Sequence, residues 1–252
     1  MVHFIGAGPG AADLITVRGC ELLKTADVVI YAGSLVNPDL LKYTKSECEI
    51  HNSAFMTLEE VIDTIKKAES KNKTTVRLHT GDPSIYGAIR EQIDLLEKYN
   101  ISYDVVPGVS SFFGAAAALG AEYTLPGISQ TVIISRMEGR TPVPEREKIR
   151  SLAAHKSTMV LFLSSSLTEE LSAELIEGGY EPCTPVAVVY KATWPDQKIF
   201  KCTIETLHQT MKENSIYKTA LILVGNFLGE KYDRSELYNP DFTHEYRNSK
   251  NE

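Results

Sequence analysis

The sequence predicts an α/β protein in two domains, and three observations carry that expectation. Strand-like and helix-like segments alternate through the first half, and glycine loops stand where several of those strands end. Around Thr124-Leu125-Pro126-Gly127 the alternation breaks, which divides residues 1–125 from residues 126–232. Each domain is expected to hold a parallel or mixed sheet flanked by helices. The stretch 233–252 is charged and polar and reads as a partly disordered tail.

The elements follow in order. Residues 2–6 (VHFIG) and 27–31 (DVVIY) are short apolar runs that read as strands. A helix is expected over 58–70, with Leu58, Ile62 and Ile65 on one face and Thr57 and Glu60 as a capping box in front. Residues 74–79 (TTVRLH) read as a strand, and 84–99 as an amphipathic helix through Ile85, Ile89, Ile93 and Leu96. A strand at 103–106 then leads through Pro107-Gly108 into a small-residue helix. The second half is expected to carry strands at about 131–135, 158–163, 185–190, 198–202 and 219–224. Helices are expected near 145–154, 167–177 and 205–213. Residues 194–197 (WPDQ) read as a hairpin turn, so the second sheet should include antiparallel pairing.

Composition excludes several classes. The formal net charge of −7 argues against an extended nucleic-acid surface, which needs a dense positive field. Cys20, Cys48, Cys183 and Cys202 form no C-x-x-C pair and have no histidine at zinc spacing, so they read as free, buried thiols of a reducing, cytoplasmic protein without a bound metal. The opening MVHFIGAGPG lacks the pattern of a signal peptide, and no run is long and apolar enough for a membrane helix.

Four segments carry candidate chemistry. GAGPGA at 6–11 fits a dinucleotide fingerprint, but Pro9 removes a backbone N–H from it, and the second strand runs into Ala32-Gly33 without a ribose-binding acid. A glycine turn that lets backbone pass close to a neighbour or a ligand fits better. In Thr80-Gly81-Asp82-Pro83, Asp82 and Pro83 could simply start a helix as N-cap and first residue. The loop also stands at the carboxyl end of a parallel strand, where open α/β sheets bind ligands, and His79 lies beside it. Ser110 and Ser111 in PGVSS either cap the next helix or bond a ligand. Arg136, Arg140, Arg146, Lys148 and Arg150 lie in SRMEGRTPVPEREKIR; they are a solvated face or a carboxylate grip on an extended loop.

Taken together and in order, GAGPG at 6–10, YAGSLV at 31–36, HTGDPSIYGAIREQ at 79–92, VVPGVSS at 105–111, EGRTPVPE at 138–145 and VVYKATWPDQ at 188–197 resemble the tetrapyrrole methylases. EGRTPVPE and YKATWPDQ are similar to their precorrin-4 C11-methyltransferase branch in cobalamin biosynthesis. The resemblance covers about residues 2–228. It implies a two-domain fold with S-adenosylmethionine folded into a cleft between the domains, an anionic tetrapyrrole substrate, with or without cobalt, and a homodimer. Carried onto matching positions, it implies cofactor contacts at Pro9, Gly81, Asp82, Pro83, Ile85, Ser110 and Ser111, and from the second half at Leu163, Ala192 and Ala220. Arg136, Arg140 and Lys191 are the expected clamps on substrate carboxylates, with His79 on the substrate side. Relatives acting on uroporphyrinogen carry an aspartate after the second strand; Ala32 and Gly33 stand here, so no catalytic base transfers. The rival readings are a family member methylating another ring position or a macromolecule, an NAD-dependent oxidoreductase, and a non-catalytic binding module.

Overall fold

A computed structural model describes residues 1–249, the side chain of Ser34 excepted. By internal contacts the chain forms two units: Met1–Ala115 joined by Lys191–Gln197, and Ala116–Tyr190 joined by the chain from Lys198 onward. The 191–197 segment therefore belongs with the first unit, and the break at 124–127 lies inside the second.

The first unit holds five parallel strands: β1 (Val2–Gly6), β2 (Val28–Tyr31), β3 (Glu49–Asn52), β4 (Thr75–His79) and β5 (Tyr103–Val106), in the order β3-β2-β4-β1-β5. The helices are α1 (Val17–Thr25), α2 (Leu58–Glu69) and α3 (Arg90–Lys98), followed by α4 (Ser111–Leu119), which begins in this unit. Strands buried on both faces read as continuous apolar runs, which is why β1 and β2 were legible without alternation. One face packs Val2, Phe4, Val28 and Ile30 against Val61, Ile62 and Ile65 of α2 and Leu96 of α3. The other packs Ile5, Val29, Val76, Leu78 and Val106 against Leu23 of α1 and Leu40. Each such aliphatic side chain contributes about 1.5–3 kcal/mol by leaving water.

The Thr57–Glu60 capping box forms as read: Glu60 N–H donates to the Thr57 hydroxyl at 3.3 Å, and Thr57 N–H donates to the Glu60 carboxylate at 2.8 Å. Two elements escape sequence patterns. Helix α1, capped by Thr16, buries only Gly19 and Leu23, too few to show a stripe. Strand β3 is a short, polar edge strand.

The second unit holds a mixed sheet of β6 (Val132–Arg136), β7 (Thr158–Phe162), β8 (Pro185–Tyr190), β9 (Lys198–Thr203) and β10 (Ala220–Val224), in the order β6-β7-β10-β8-β9. Only β6 and β7 pair in parallel; β8 and β9 form the expected hairpin. Helices α5 (Ile149–Ala153), α6 (Thr168–Glu177) and α7 (Leu207–Glu213) supply Ile149, Leu171, Leu175 and Leu207 to one core with Met159, Leu161, Val188 and Ile222. The expected helix at 145–154 is a single 3-10 turn at Glu145–Glu147 followed by α5. Of the tail, Glu236–Tyr238 forms a 3-10 turn and His244 bridges Arg247, while residues 250–252 lie outside the described residues. All four cysteines are free, but Cys183 is exposed and Cys20, Cys48 and Cys202 are only partly buried, which corrects the expectation that all are buried.

Candidate functional site

In the first unit, the connection leaving β1 runs past β4 to β2, and the connection leaving β4 runs past β1 to β5. Right-handed crossovers in opposite directions put α1 and α3 on opposite faces of the sheet, as the two core clusters show. The carboxyl ends of β1 and β4 are therefore a topological switch point, where open sheets leave a ligand crevice.

Three glycine loops meet there. Ala7 N–H donates to the His79 carbonyl at 2.7 Å, and Gly8 and Gly81 exchange backbone bonds of 3.3 and 2.9 Å. A Cβ built on Gly6 would fall 2.4 Å from the Gly108 Cα, and one on Gly108 would fall 2.1 Å from the Gly81 carbonyl oxygen. The backbones after β1, β4 and β5 thus touch directly, which no side chain would allow.

Asp82 ties this arrangement together. Its Oδ1 accepts the Ser84 N–H at 2.9 Å and the Ser84 hydroxyl, while Oδ2 accepts the Gly108 N–H at 2.8 Å. Partial burial pushes the carboxyl pKa up, but the bonds from Ser84 and Gly108 outweigh it and hold the group below its ordinary value. The expected helix over 84–99 begins only at Arg90, and Asp82 caps a turn instead of a helix. Tyr86 (φ 56°) and Ala88 (φ 49°) are left-handed, and a Cβ on Gly87 would fall 2.2 Å from the Pro83 carbonyl oxygen. Non-glycine residues in that region cost about 1–3 kcal/mol each, and such strain gathers where a backbone is shaped for a ligand. Pro83 is buried and Ile85 half-buried in this turn.

His79 is 3% exposed, its ring 6.0 Å from that of Phe4. Burial, with Arg77 adding to it, pulls its pKa from 6.5 to about 3, so the imidazole is neutral. Arg77 is also buried and donates to the Gln92 side chain and the Ile30 carbonyl, each at 3.0 Å. His79 Nε2 and Thr80 Oγ1 are buried without a hydrogen-bond partner. Orphaned polar atoms on two successive residues next to a glycine cradle suit a site that takes a polar ligand.

Of the other expected contacts, Ser110 is 5% exposed and Ser111 opens α4. Pro9 packs on Gly114 of α4, and Ala192, buried in the first unit, sets its carbonyl against Gly10. In the second unit, Leu163 follows β7 in a left-handed conformation (φ 52°) and is 64% exposed. Ala220 opens β10 and accepts the Ser165 hydroxyl at 3.1 Å. Arg136 donates to the carbonyls of Met137, Thr141 and Pro142, shaping its own loop, whereas Arg140 is exposed with no bond among the described residues. Lys191 pairs with Asp196 at 2.6 Å. Asn37, which helps hold the first glycine loop, escaped sequence reasoning; Thr193 and Trp194 fell inside YKATWPDQ, read as a hairpin turn and a branch motif but given no role at the loop. Among the described residues, no cluster of metal-ligating side chains exists, and no helix is long and apolar enough to cross a membrane.

The family model described as Tetrapyrrole (Corrin/Porphyrin) Methylases matches residues 1–208. The chain is a tetrapyrrole methylase. This methylase is 57% identical to cobalt-precorrin-4 C(11)-methyltransferase of Methanocaldococcus jannaschii, over 98% of this chain and 96% of the relative. Among solved structures, it resembles a cobalamin biosynthetic enzyme, cobalt precorrin-4 methyltransferase CbiF, with TM-score 0.89 and 52% identity over 91% of this chain and 96% of the other. It also resembles uroporphyrin-III C-methyltransferase of Thermus thermophilus complexed with S-adenosyl homocysteine, with TM-score 0.76 and 25% identity over 91% of this chain and 95% of that one.

Proposed function

We propose that this tetrapyrrole methylase transfers a methyl group from S-adenosylmethionine to C-11 of precorrin-4, the cobalt-bearing form being favoured. The observation that carries this reading is the 57% identity, over 98% of this chain, with cobalt-precorrin-4 C(11)-methyltransferase. The glycine cradle supports it: closely packed glycine backbone, a carboxylate-braced turn and two orphaned polar atoms suit a small polar ligand.

When bound, S-adenosylmethionine supplies an electrophilic methyl on a sulfonium. The protein's part is to hold that group and the nucleophilic ring carbon in line, and well-oriented pairs reach effective molarities of roughly 10⁵–10⁸ M. Pro9, Gly81, Asp82, Pro83, Ile85, Ser110, Ser111 and Ala192 are the proposed cofactor contacts, with Leu163 and Ala220 added by the resemblance. Arg140 is the proposed grip on a substrate carboxylate. Arg136 shapes the loop that presents it and keeps an Nε–H for the same carboxylate. Neutral His79 offers its orphaned Nε2 to the bound reactants. Lys191, already paired with Asp196, reaches substrate only as part of that pair. We also propose a cytoplasmic homodimer; light scattering of the purified protein tests the dimer.

The deciding experiment incubates the protein with cobalt-precorrin-4 and S-adenosylmethionine carrying a ¹³C methyl. The expected product gains one labelled methyl, located by NMR at C-11. A label at another ring carbon, or no transfer to either metallated or metal-free substrate, overturns the proposal.

A further inference from the structure

The loop after β1 is fixed at its front by β4, through Ala7 and Gly8. Its rear, Pro9-Gly10-Ala11, is held differently. Asn37 Nδ2 donates to the Gly10 carbonyl at 2.8 Å. Ala11 N–H donates to the Thr193 hydroxyl at 3.0 Å across 182 residues of sequence. Gly10 lies under the Trp194 indole: a Cβ there would fall 2.2 Å from Trp194 Cδ1 and 2.7 Å from the Ala192 carbonyl oxygen. A Cβ on Gly114 would fall 2.8 Å from Pro9 Cβ and 3.2 Å from Thr193 Cγ2, so the proline and the threonine share one seat on α4.

The arm that makes these contacts is itself locked. Lys191 Nζ meets Asp196 at 2.6 Å and lies 5.5 Å from the Trp194 ring. Thr193 N–H donates to the Gln197 side chain at 2.7 Å, and Lys191 (φ 47°) and Thr193 (φ 67°) both hold left-handed backbone. Strain of that kind persists only where the surroundings over-determine it. Here it aims the Thr193 hydroxyl at Ala11.

We propose that Thr193 and Trp194 are positioning residues that set the conformation of Pro9-Gly10-Ala11 and, through it, the affinity for S-adenosylmethionine. This rests on the cofactor reading of the loop. Pro9 has no N–H and Gly10 has no side chain, so the loop has few means of holding its own shape. Without the Thr193 hydroxyl the Ala11 N–H loses its partner.

The test is Thr193→Val, which keeps the side-chain shape and the β-branch but removes the acceptor. Hydrogen exchange at the Ala11 amide should quicken. The Kd for S-adenosylhomocysteine by calorimetry should rise about tenfold, as expected for one lost bond. KM for S-adenosylmethionine should rise with it, while kcat at saturation and KM for the tetrapyrrole stay near wild type. Thr193→Ser should restore both readouts, and Trp194→Phe, a milder change, should weaken S-adenosylhomocysteine in the same direction. An Ala11 amide that exchanges as in the wild type, or faster exchange with unchanged Kd, overturns the proposal. So does a parallel loss of tetrapyrrole affinity and kcat, which would mark a general structural role. A wild-type protein that binds no S-adenosylhomocysteine overturns the cofactor reading and this proposal together; a variant matching a measurable wild-type Kd overturns this proposal alone.

Discussion

The Asp82 carboxylate accepts the Gly108 backbone N–H at 2.8 Å, so the loop after β4 braces the loop after β5. The same carboxylate accepts the Ser84 N–H and hydroxyl, which folds the chain into a turn where apolar spacing alone would continue a helix.

Replacing Asp82 with alanine leaves the Gly108 and Ser84 N–H groups to water. The expected cost is about 1–3 kcal/mol, with S-adenosylhomocysteine binding lost. The folded-state pKa is depressed, so this contribution is present above the ordinary carboxylate value of 3.8 and is lost as pH falls through the lower folded value. Urea midpoints of wild type and Asp82→Ala should therefore differ at neutral pH and converge in strong acid.

Gly108→Ala places a Cβ 2.1 Å from the Gly81 carbonyl oxygen, and both atoms belong to rigid loops. Spreading them should cost about 3 kcal/mol, at the upper end for overpacking, and should abolish S-adenosylhomocysteine binding. Thermal unfolding and calorimetry check this. An alanine variant that binds like wild type would remove the cradle from the site.

His79 gives a pH signature of the opposite charge type. Its folded pKa is pulled from 6.5 to about 3, so the unfolded chain takes up a proton that the folded protein refuses. Stability should be unaffected by this group above pH 6.5 and should fall as pH drops toward 3, by about 1.4 kcal/mol per unit at the steepest. His79→Gln should flatten that slope between about pH 6 and about pH 4 in urea titrations.

The two arginines separate by role. Arg140→Ala should raise KM for the tetrapyrrole without changing S-adenosylhomocysteine affinity or stability, because the side chain is exposed and makes no bond among the described residues. Arg136→Ala should do the same and also loosen 137–142, whose carbonyls lose their donor. Unchanged substrate affinity in the double variant removes the carboxylate grip from this loop.

What the sequence could tell depended on range. Strands buried on both faces announce themselves as apolar runs, and the capping box of α2 depends on residues three apart, so both were legible. The Ile85–Leu96 spacing misled because left-handed Tyr86 and Ala88 and the Gly87–Pro83 contact break the helix, with Gly87 the one local hint. Family motifs located Asp82, but not that it binds Gly108 across 26 residues. The contact of Ala11 with Thr193 leaves no periodic trace at all, since nothing in either segment specifies its partner.

That last contact also sets an order of events during synthesis. Strands β1 to β5 emerge within the first 106 residues and can assemble while translation continues. The Ala11 amide must wait for Thr193, which leaves the ribosome 182 residues later. A nascent chain stopped before Lys191 should carry a formed sheet and an unfinished first loop. Completion of the first loop would then be a late step in making this protein, and a fragment ending at Tyr190 should regain protection of the Ala11 amide from an added 191–197 peptide.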